Sequence, residues 1–429
     1  MTNLSFAFRP KLCIAGIGGY ARAHHEIALE LETAEELQLI ATCDPRHREL
    51  QQLSEHFAFS NRSIEVLESF VVMMERHGKD ADLVTIATPI HLHAVMHEAV
   101  VSRNLACYLE KPPTLDPLEL DAMIATEQGS DYQTEVGFNY IAEPWRHDLK
   151  RRLLEGEWGD LLSLSFYGAW RRDTAYYQRS PWAGKLLDGR LILDSPFGNA
   201  ASHHIHNLLF FAGREEIFSW ALPGKVRCEM YRAYDIESAD TVFSTMTTPD
   251  GIELRTAVSH ACQTQHDLVE ILHCERAEIR IRPYQHVEII DRSGKREIHK
   301  TPADIKLLKE NFVHYLHYLR GLAERPLTTL ADCRPLVIWN ALNYLSTQQI
   351  QTVPSGAWQD DTAEQKPSTR RFIIGIEEVM SRYIATGAFP SEQGVCWCHR
   401  SESVTPEEVI HLRTAVREMA RNTAALNAN

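Results

Sequence analysis

The chain has 429 residues, 44% of them hydrophobic and 24% charged, with a formal net charge of −14. That length supports a large core split into two or three domains. The acidic balance argues against nucleic acid and anionic membrane surfaces as partners, and no apolar stretch reaches the roughly 18 residues of a membrane span.

In chain order, the first third alternates short apolar runs with amphipathic stretches. Leu12–Ala15, Leu37–Cys43, Leu83–Ala87, Ala106–Leu109 and Thr134–Phe138 read as strands, and Tyr20–Leu31, Arg46–Phe57, Val66–Arg76, His91–Ser102 and Pro117–Glu127 as helices. Strands separated by helices of this length predict βαβ units, a parallel sheet and right-handed crossovers. Between the first strand and first helix, Gly16-Ile17-Gly18-Gly19-Tyr20-Ala21 reads G-x-G-x-x-A. Alone this pattern is weak. The second strand, however, ends in Asp44, where a dinucleotide-binding fold places the acid that accepts the ribose hydroxyls. Gly16 makes the tight turn, Gly18 lets the backbone approach a pyrophosphate, Gly19 belongs to the same cofactor-binding turn, and Ala21 is small enough for helix and strand to pack closely. Tyr20 is a candidate cover over the phosphates. Asp44 favours NAD; Arg46 and His47 follow it, so NADP stays open.

The next strand ends in Thr88-Pro89, with His91 opening a helix, and the one after it ends in Glu110-Lys111-Pro112. In open α/β sheets ligands bind beyond the carboxyl ends of the strands, and a proline biases the residue before it toward extended backbone. Lys111 is thereby presented at the strand end. With the glycine turn, Asp44, "IATPIHLHAVMHEAV", "EKPPT" and "EGEWGDLLSLSFYGAW", the chain over roughly 10–350 resembles the oxidoreductases named after glucose–fructose oxidoreductase and inositol dehydrogenase, the Gfo/Idh/MocA family.

That resemblance implies an α/β protein: an N-terminal Rossmann domain (1–135), then an α/β domain (136–350) with a large, open, mainly antiparallel sheet. Residues 351–429 form a helical extension for which an active-site cap and a partner surface both stay open. Leu161–Trp170, Lys225–Tyr231, Thr241–Thr247, Glu253–Ala261, Leu268–His273 and Val287–Asp291 agree with such a sheet. The resemblance further implies that Thr88, Pro89, His91, Glu110, Lys111 and Asn139 line the cofactor site, with Tyr140 beside substrate. Lys111 would stand next to the nicotinamide and the reacting carbon.

In "DSPFGNAASHHIH" the family's histidine falls on His203. Four residues earlier, where relatives carry aspartate, stands Asn199, and Asp194 is the nearby carboxylate that could take its place. A histidine titrating near neutrality suits the hydroxyl proton of a secondary alcohol, and a lysine ammonium suits the charge developing on its oxygen. His206, one turn further on, takes a place often held by Asp or His in relatives and is a candidate substrate contact. A metal reading of His203 and His206 lacks a third ligand, and the stretch Cys396–Arg400 lacks a second pair, so no metal is expected. The stretch 170–190 is rich in Arg, Tyr and Trp, and Arg171, Tyr177, Trp182 and Lys185 are candidate substrate contacts.

The function expected is hydride transfer between NAD(P) and a secondary alcohol or ketone of a sugar, sugar derivative or cyclitol. One alternative on the same fold is redox-neutral, NAD-dependent glycoside cleavage; another is a non-catalytic NAD-binding subunit. Nine scattered cysteines and the lack of a leader-like start point to a cytoplasmic protein with reduced thiols. The family's habits point to a homo-oligomer, a dimer or tetramer. The polar segment 355–370 reads as a linker, and Thr405 with Glu408 as a capping box opening the last helix.

Overall fold

The computed structural model describes residues 8–266, 268–302, 305–361 and 368–427. Two compact units result: 1–114, 118–143 and 306–333 form the first, and 115–117, 144–305 and 334–429 the second.

The first unit begins β1 (Lys11–Ala15), α1 (Ala21–Thr33), β2 (Gln38–Cys43), α2 (Gln51–His56), β3 (Glu65–Leu67), α3 (Phe70–His77) and β4 (Leu83–Ile86). It continues with α4 (His93–Val101), β5 (Ala106–Leu109), α5 (Pro117–Glu127) and β6 (Glu135–Val136). The six strands pair in parallel in the order β3-β2-β1-β4-β5-β6, the dinucleotide-binding order. β4 and β5 are buried at every residue, as strands covered on both faces must be. The helix expected over Val66–Arg76 is instead a short edge strand and then α3, because the Ser69 hydroxyl accepts from the Val72 N–H and caps a helix starting at Phe70.

The second unit opens with α6 (Pro144–Leu154), β7 (Leu161–Ala169), α7 (Thr174–Gln178), the two-residue strands β8 (Leu187–Asp188) and β9 (Arg190–Leu191), and α8 (Ser202–Ala212). Then come β10 (Lys225–Arg232), β11 (Thr241–Thr247), β12 (Glu253–Ser259), β13 (Val269–Cys274), β14 (Ala277–Arg282), β15 (His286–Asp291) and β16 (Arg296–Lys300). Helix α9 (Leu307–Leu319) returns to the first unit, where Phe312 stacks on Tyr108 at 5.0 Å and the Tyr315 hydroxyl accepts from the Cys107 N–H (3.1 Å). Residues 306–333 therefore complete the first unit although they lie far from it in sequence.

After α10 (Leu330–Thr347) come β17 (Gln351–Thr352), β18 (Trp358–Asp361), β19 (Arg370–Ile373), α11 (Ile376–Thr386) and α12 (Leu412–Asn427). The large sheet has nine strands in the order β16-β15-β14-β13-β7-β12-β11-β10-β17, antiparallel except at β7–β12 and β10–β17. The stretch beyond 351, expected to be helical, also supplies three strands. Arg371 fixes the β18–β19 hairpin by stacking 3.4 Å from the Trp358 ring and pairing with Asp360 at 2.7 Å. Residues 362–367 of the expected linker lie outside the described residues. The expected capping box is present: Thr405 and Glu408 bond reciprocally at the start of a 3-10 turn that leads into α12.

Among the described residues, no helix is long and apolar enough to cross a membrane. All nine cysteines are free thiols.

α8 is held against the large sheet by a buried ion network. Glu270 of β13 pairs with Arg146 of α6 (2.8 Å), accepts from Asn207 (2.8 Å) and lies 2.7 Å from His204 Nδ1, whose ring stacks on Phe166 of β7. Burial alone would raise the Glu270 carboxyl, but the Arg146 charge and the His204 bond outweigh it and hold it at about 2. Glu270→Ala removes a buried carboxylate that pairs with Arg146 and accepts from Asn207, and a loss of about 3–5 kcal/mol is expected in urea unfolding at neutral pH. The folded value is below the ordinary 4.5, so this contribution is complete above that pH and lost as pH falls toward 2. The gap between wild type and variant should narrow over that window; a constant gap would count against the network.

Candidate active site

The first unit builds a nucleotide cradle at the carboxyl ends of β1, β4 and β5. Gly16 has φ +105°, and a Cβ there would stand 2.6 Å from the Ala87 carbonyl oxygen, so only glycine lets the loops after β1 and β4 come this close. Its N–H donates to Cys43 O at 2.8 Å. Gly18 and Gly19 continue the turn, Gly19 with φ +58°. Ala21 is fully buried at the start of α1. No acidic residue occupies the first turn of α1, so the partial positive charge of this helix N-terminus suits a diphosphate. Tyr20, half exposed at 55%, stands beside this turn, edge-on to His24.

Asp44 lies where the sequence places it, at the end of β2. Its carboxylate accepts from the N–H groups of Ile17 (3.1 Å) and Arg46 (2.9 Å), with Arg46 Nε at 3.9 Å. Asp44 thus ties the second strand to the glycine turn, and Arg46 brings a cation to the same place. The residues present fit a dinucleotide: a turn only glycine can make, an open helix N-terminus, and an acid at the ribose position.

Three histidines not singled out in the sequence hold these loops. His25 Nε2 is 3.1 Å from Gly16 O, and burial lowers the ring to about 4 against the pull of that bond, so a neutral imidazole donates to the turn. His24 Nε2 meets Glu110 Oε1 at 2.7 Å. His93 bridges two loops, with Nε2 2.8 Å from Thr88 O and Nδ1 3.0 Å from Pro112 O. Burial pushes His93 below its ordinary range while these carbonyls oppose it. The clamp is therefore His93; His91 is half-buried in the preceding 3-10 turn that begins after Pro89. The Lys111–Pro112 peptide is cis, and Lys111 is half-buried directly beyond β5. Asn139 accepts from the Tyr108 hydroxyl (3.1 Å), and Tyr140 follows it, half-buried.

The second unit carries the histidine helix. A π turn, Pro196–Ala200, precedes α8, with the Ser195 hydroxyl accepting from the Gly198 N–H. Every residue of α8 is buried except His203. Asn199 and Ala200, one turn before it, are also partly open, so a single stripe of this segment is accessible. Asp194 is 4% exposed and accepts from Asn199 Nδ2 (2.8 Å) and the Gly184 N–H (2.7 Å), with Arg179 at 3.5 Å. Burial raises its carboxyl, and Arg179 and Asn199 oppose this. Asp194, which precedes the helix, is thus hydrogen-bonded to Asn199.

Other candidates fall elsewhere. His206 is fully buried against Trp220, its ring lowered to about 3 by burial, a core position and not a substrate contact. Tyr177 packs on Tyr234, and its hydroxyl lies 3.2 Å from His260 Nδ1. Lys185 pairs with Glu237 (2.6 Å), and Arg171 donates to Gln263 O (3.0 Å). Trp182 lies under Arg179. Arg172, Arg179, Tyr176 and His260, not singled out in the sequence, pack together beside these candidates. The Arg–aromatic spacing of 172, 176, 179 and 182 was a usable signal; His260, delivered by the end of β12, had none.

Residues 11–138 match the model of the Gfo/Idh/MocA oxidoreductases, described by its NAD-binding Rossmann fold. The chain carries the NAD-binding domain of this family. Glucose-6-phosphate 3-dehydrogenase of Bacillus subtilis (strain 168) is 26% identical over 159 residues, 37% of this chain and 41% of that protein. The chain thus matches less than half the length of this curated relative. The fold likeness runs further than the family's Rossmann domain. WlbA dehydrogenase from Bordetella pertussis, solved with NADH and UDP-GlcNAcA, gives a TM-score of 0.64 at 18% identity over 80% of this chain and 97% of that one. A levoglucosan dehydrogenase solved with NADH and levoglucosan gives 0.66 at 15% over 79% and 97%.

Gly16→Ala forces a side chain onto the Ala87 carbonyl, so NAD+ binding measured calorimetrically should weaken by at least about tenfold. Unchanged affinity would remove the glycine turn from the cofactor site.

Proposed function

We propose that this protein is an NAD(P)-dependent dehydrogenase acting on a secondary alcohol, or in reverse a ketone, of a sugar, sugar derivative or cyclitol. The observation that carries the reading is Lys111 at the carboxyl end of β5, on the same sheet edge as the glycine turn after β1. A switch-point crevice binds ligands at that edge. The family's NAD-binding domain, the Bacillus relative and the fold likeness to sugar dehydrogenases support it.

Gly16, Gly18, Gly19 and the α1 N-terminus would hold the diphosphate, and Asp44 the ribose. Bound nicotinamide supplies the acceptor or donor of hydride. His203 takes the hydroxyl proton as the C–H bond is broken and returns it in the reverse direction. Lys111 would stabilise negative charge developing on a substrate oxygen held at the carboxyl end of β5. Asn199 orients substrate or imidazole, and Asp194 fixes Asn199 by its 2.8 Å bond.

Lys111→Ala should lower kcat for NADH formation by about 10²–10³-fold with NAD+ affinity unchanged, and His203→Asn by about 10²–10⁴-fold. Full turnover in either variant removes that residue from the mechanism. Denaturing the purified protein and weighing the released nucleotide separates an exchanging dehydrogenase from one that recycles a retained cofactor.

Cofactor choice is tested at Asp44. Wild type should bind NAD+ more tightly than NADP+. Asp44→Ser, which leaves Arg46 in place, should raise the relative affinity for NADP+. An unchanged ratio would show that Asp44 does not read the ribose.

A further inference from the structure

Residues 170–182 build a ladder of cations and aromatic rings. The Arg172 guanidinium lies 4.2 Å from the Trp170 ring centroid and 4.7 Å from that of Tyr176. Arg179 lies 3.8 Å from Tyr176 and 4.9 Å from Trp182. Stacking occupies the faces of a guanidinium and leaves its N–H donors, which lie in the plane, for other partners.

Those donors are under-used. No ion pair of Arg172 occurs among the described residues, and its Nε is buried without a hydrogen-bond partner. Arg179 donates to Tyr176 O (2.6 Å) and approaches Asp194 at 3.5 Å, but that carboxylate already accepts from Asn199 and Gly184. His260 is 2% exposed; its Nδ1 meets Tyr177, its Nε2 has no partner, and its ring stands edge-on to Tyr176 at 5.2 Å. Burial and then the charges of Arg172 and Arg179 keep this imidazole well below its ordinary range. Of the two guanidinium groups only Arg179 approaches a carboxylate, and that carboxylate is already committed to Asn199 and Gly184, in a protein whose net charge is −14. The cluster is joined to the open stripe of α8 through Arg179, Asp194 and Asn199.

We propose that Arg172 and Arg179 form a subsite for an anionic group, carboxylate or phosphate, on the sugar substrate. The assignment rests on the dehydrogenase reading for the word substrate, and on the cluster alone for the anion. The aromatic rings hold the two cations apart and pre-oriented, so a planar carboxylate or a phosphoryl group meets N–H donors whose rotamers are already fixed. His260 offers a further buried nitrogen at the same cluster.

The test uses the full-length protein with saturating NAD+ and four probes: D-glucuronate, D-mannose 6-phosphate, and the neutral D-glucose and D-mannose. Binding is followed by tryptophan fluorescence, since Trp170 and Trp182 belong to the ladder, and by calorimetry. At least one anionic sugar is expected to bind about tenfold or more tightly than its neutral counterpart, with affinity falling as salt is raised. The double variant R172Q/R179Q should lose that preference while keeping NAD+ affinity and the thermal midpoint. Preference for glucuronate alone identifies a carboxylate subsite, and for the phosphate alone a phosphoryl subsite. Equal binding of neutral and anionic sugars, no binding of either anion, or a preference that survives in the double variant overturns the proposal. Should R172Q/R179Q fail to fold, the single variants R172Q and R179Q carry the same comparison. Arginine-dependent anion binding without NADH formation would sink the dehydrogenase reading and spare the subsite; turnover of a neutral sugar insensitive to both substitutions would do the reverse.

Discussion

Sharp turns at the end of a parallel sheet leave backbone carbonyls that no strand partner can satisfy, and the first unit meets this need with buried imidazole. Gly16 O is reached by His25, and Thr88 O and Pro112 O by the two nitrogens of His93. A buried carbonyl without a donor costs about 1–3 kcal/mol, so these rings decide where each loop can stop. The third histidine, His24, does the same for the Glu110 carboxylate. The positions of Gly16, Thr88 and Lys111, which the cofactor reading depends on, follow from three side chains on the flanking helices α1 and α4. At Gly16 O a lysine or arginine could also donate, but the neutral His25 imidazole does so without bringing a permanent charge into a buried place; a neutral His93 carries one N–H and donates to one of its two carbonyls.

The second unit solves a different problem with the same residue type. α8 must lie flat on the large sheet yet present one polar group outward. Glu270 joins Arg146, His204 and Asn207 on the buried side, which fixes the rotation of the helix about its own axis. With His204 locked inward and His206 in the core against Trp220, only His203 is left open. The π turn before it changes the register at which Asn199 enters, so a side chain four residues before His203 is reached by Asp194 from outside the helix.

The parts of this arrangement written in the sequence are those whose chemistry is local. β4 and β5 are legible because a strand buried on both faces is a continuous apolar run. The glycine turn, Asp44 and Lys111 are legible because strand, turn and helix follow one another within a few residues. β3, with three residues at a sheet edge, and β16, exposed along its whole length, have no burial pattern to betray them. His93 and His260 were missed for another reason: an imidazole takes its role from a partner, and theirs are Pro112 and Tyr177, 19 and 83 residues away along the chain. His206 was misread in the opposite direction, since a polar residue on an apolar helix looks accessible until the indole that covers it is known.

Residues 351–429 look appended in sequence and are not so in energy. Along β7, residues 164 and 166 face α8, while Tyr167 and Ala169 face the other way and join Phe243, Ala257 and Tyr231 in an apolar surface. Ile376, Met380 and Tyr383 of α11, with Ile373 and Phe389, bury that surface, and the Tyr383 hydroxyl closes onto Thr245 at 2.6 Å. Val404 then pairs with Val226 at the start of β10. A sheet with both faces apolar needs cover on both, so the unit that carries His203 is complete only with this C-terminal segment in place. The segment is thereby part of the core that fixes the histidine helix, whatever else its outer surface does.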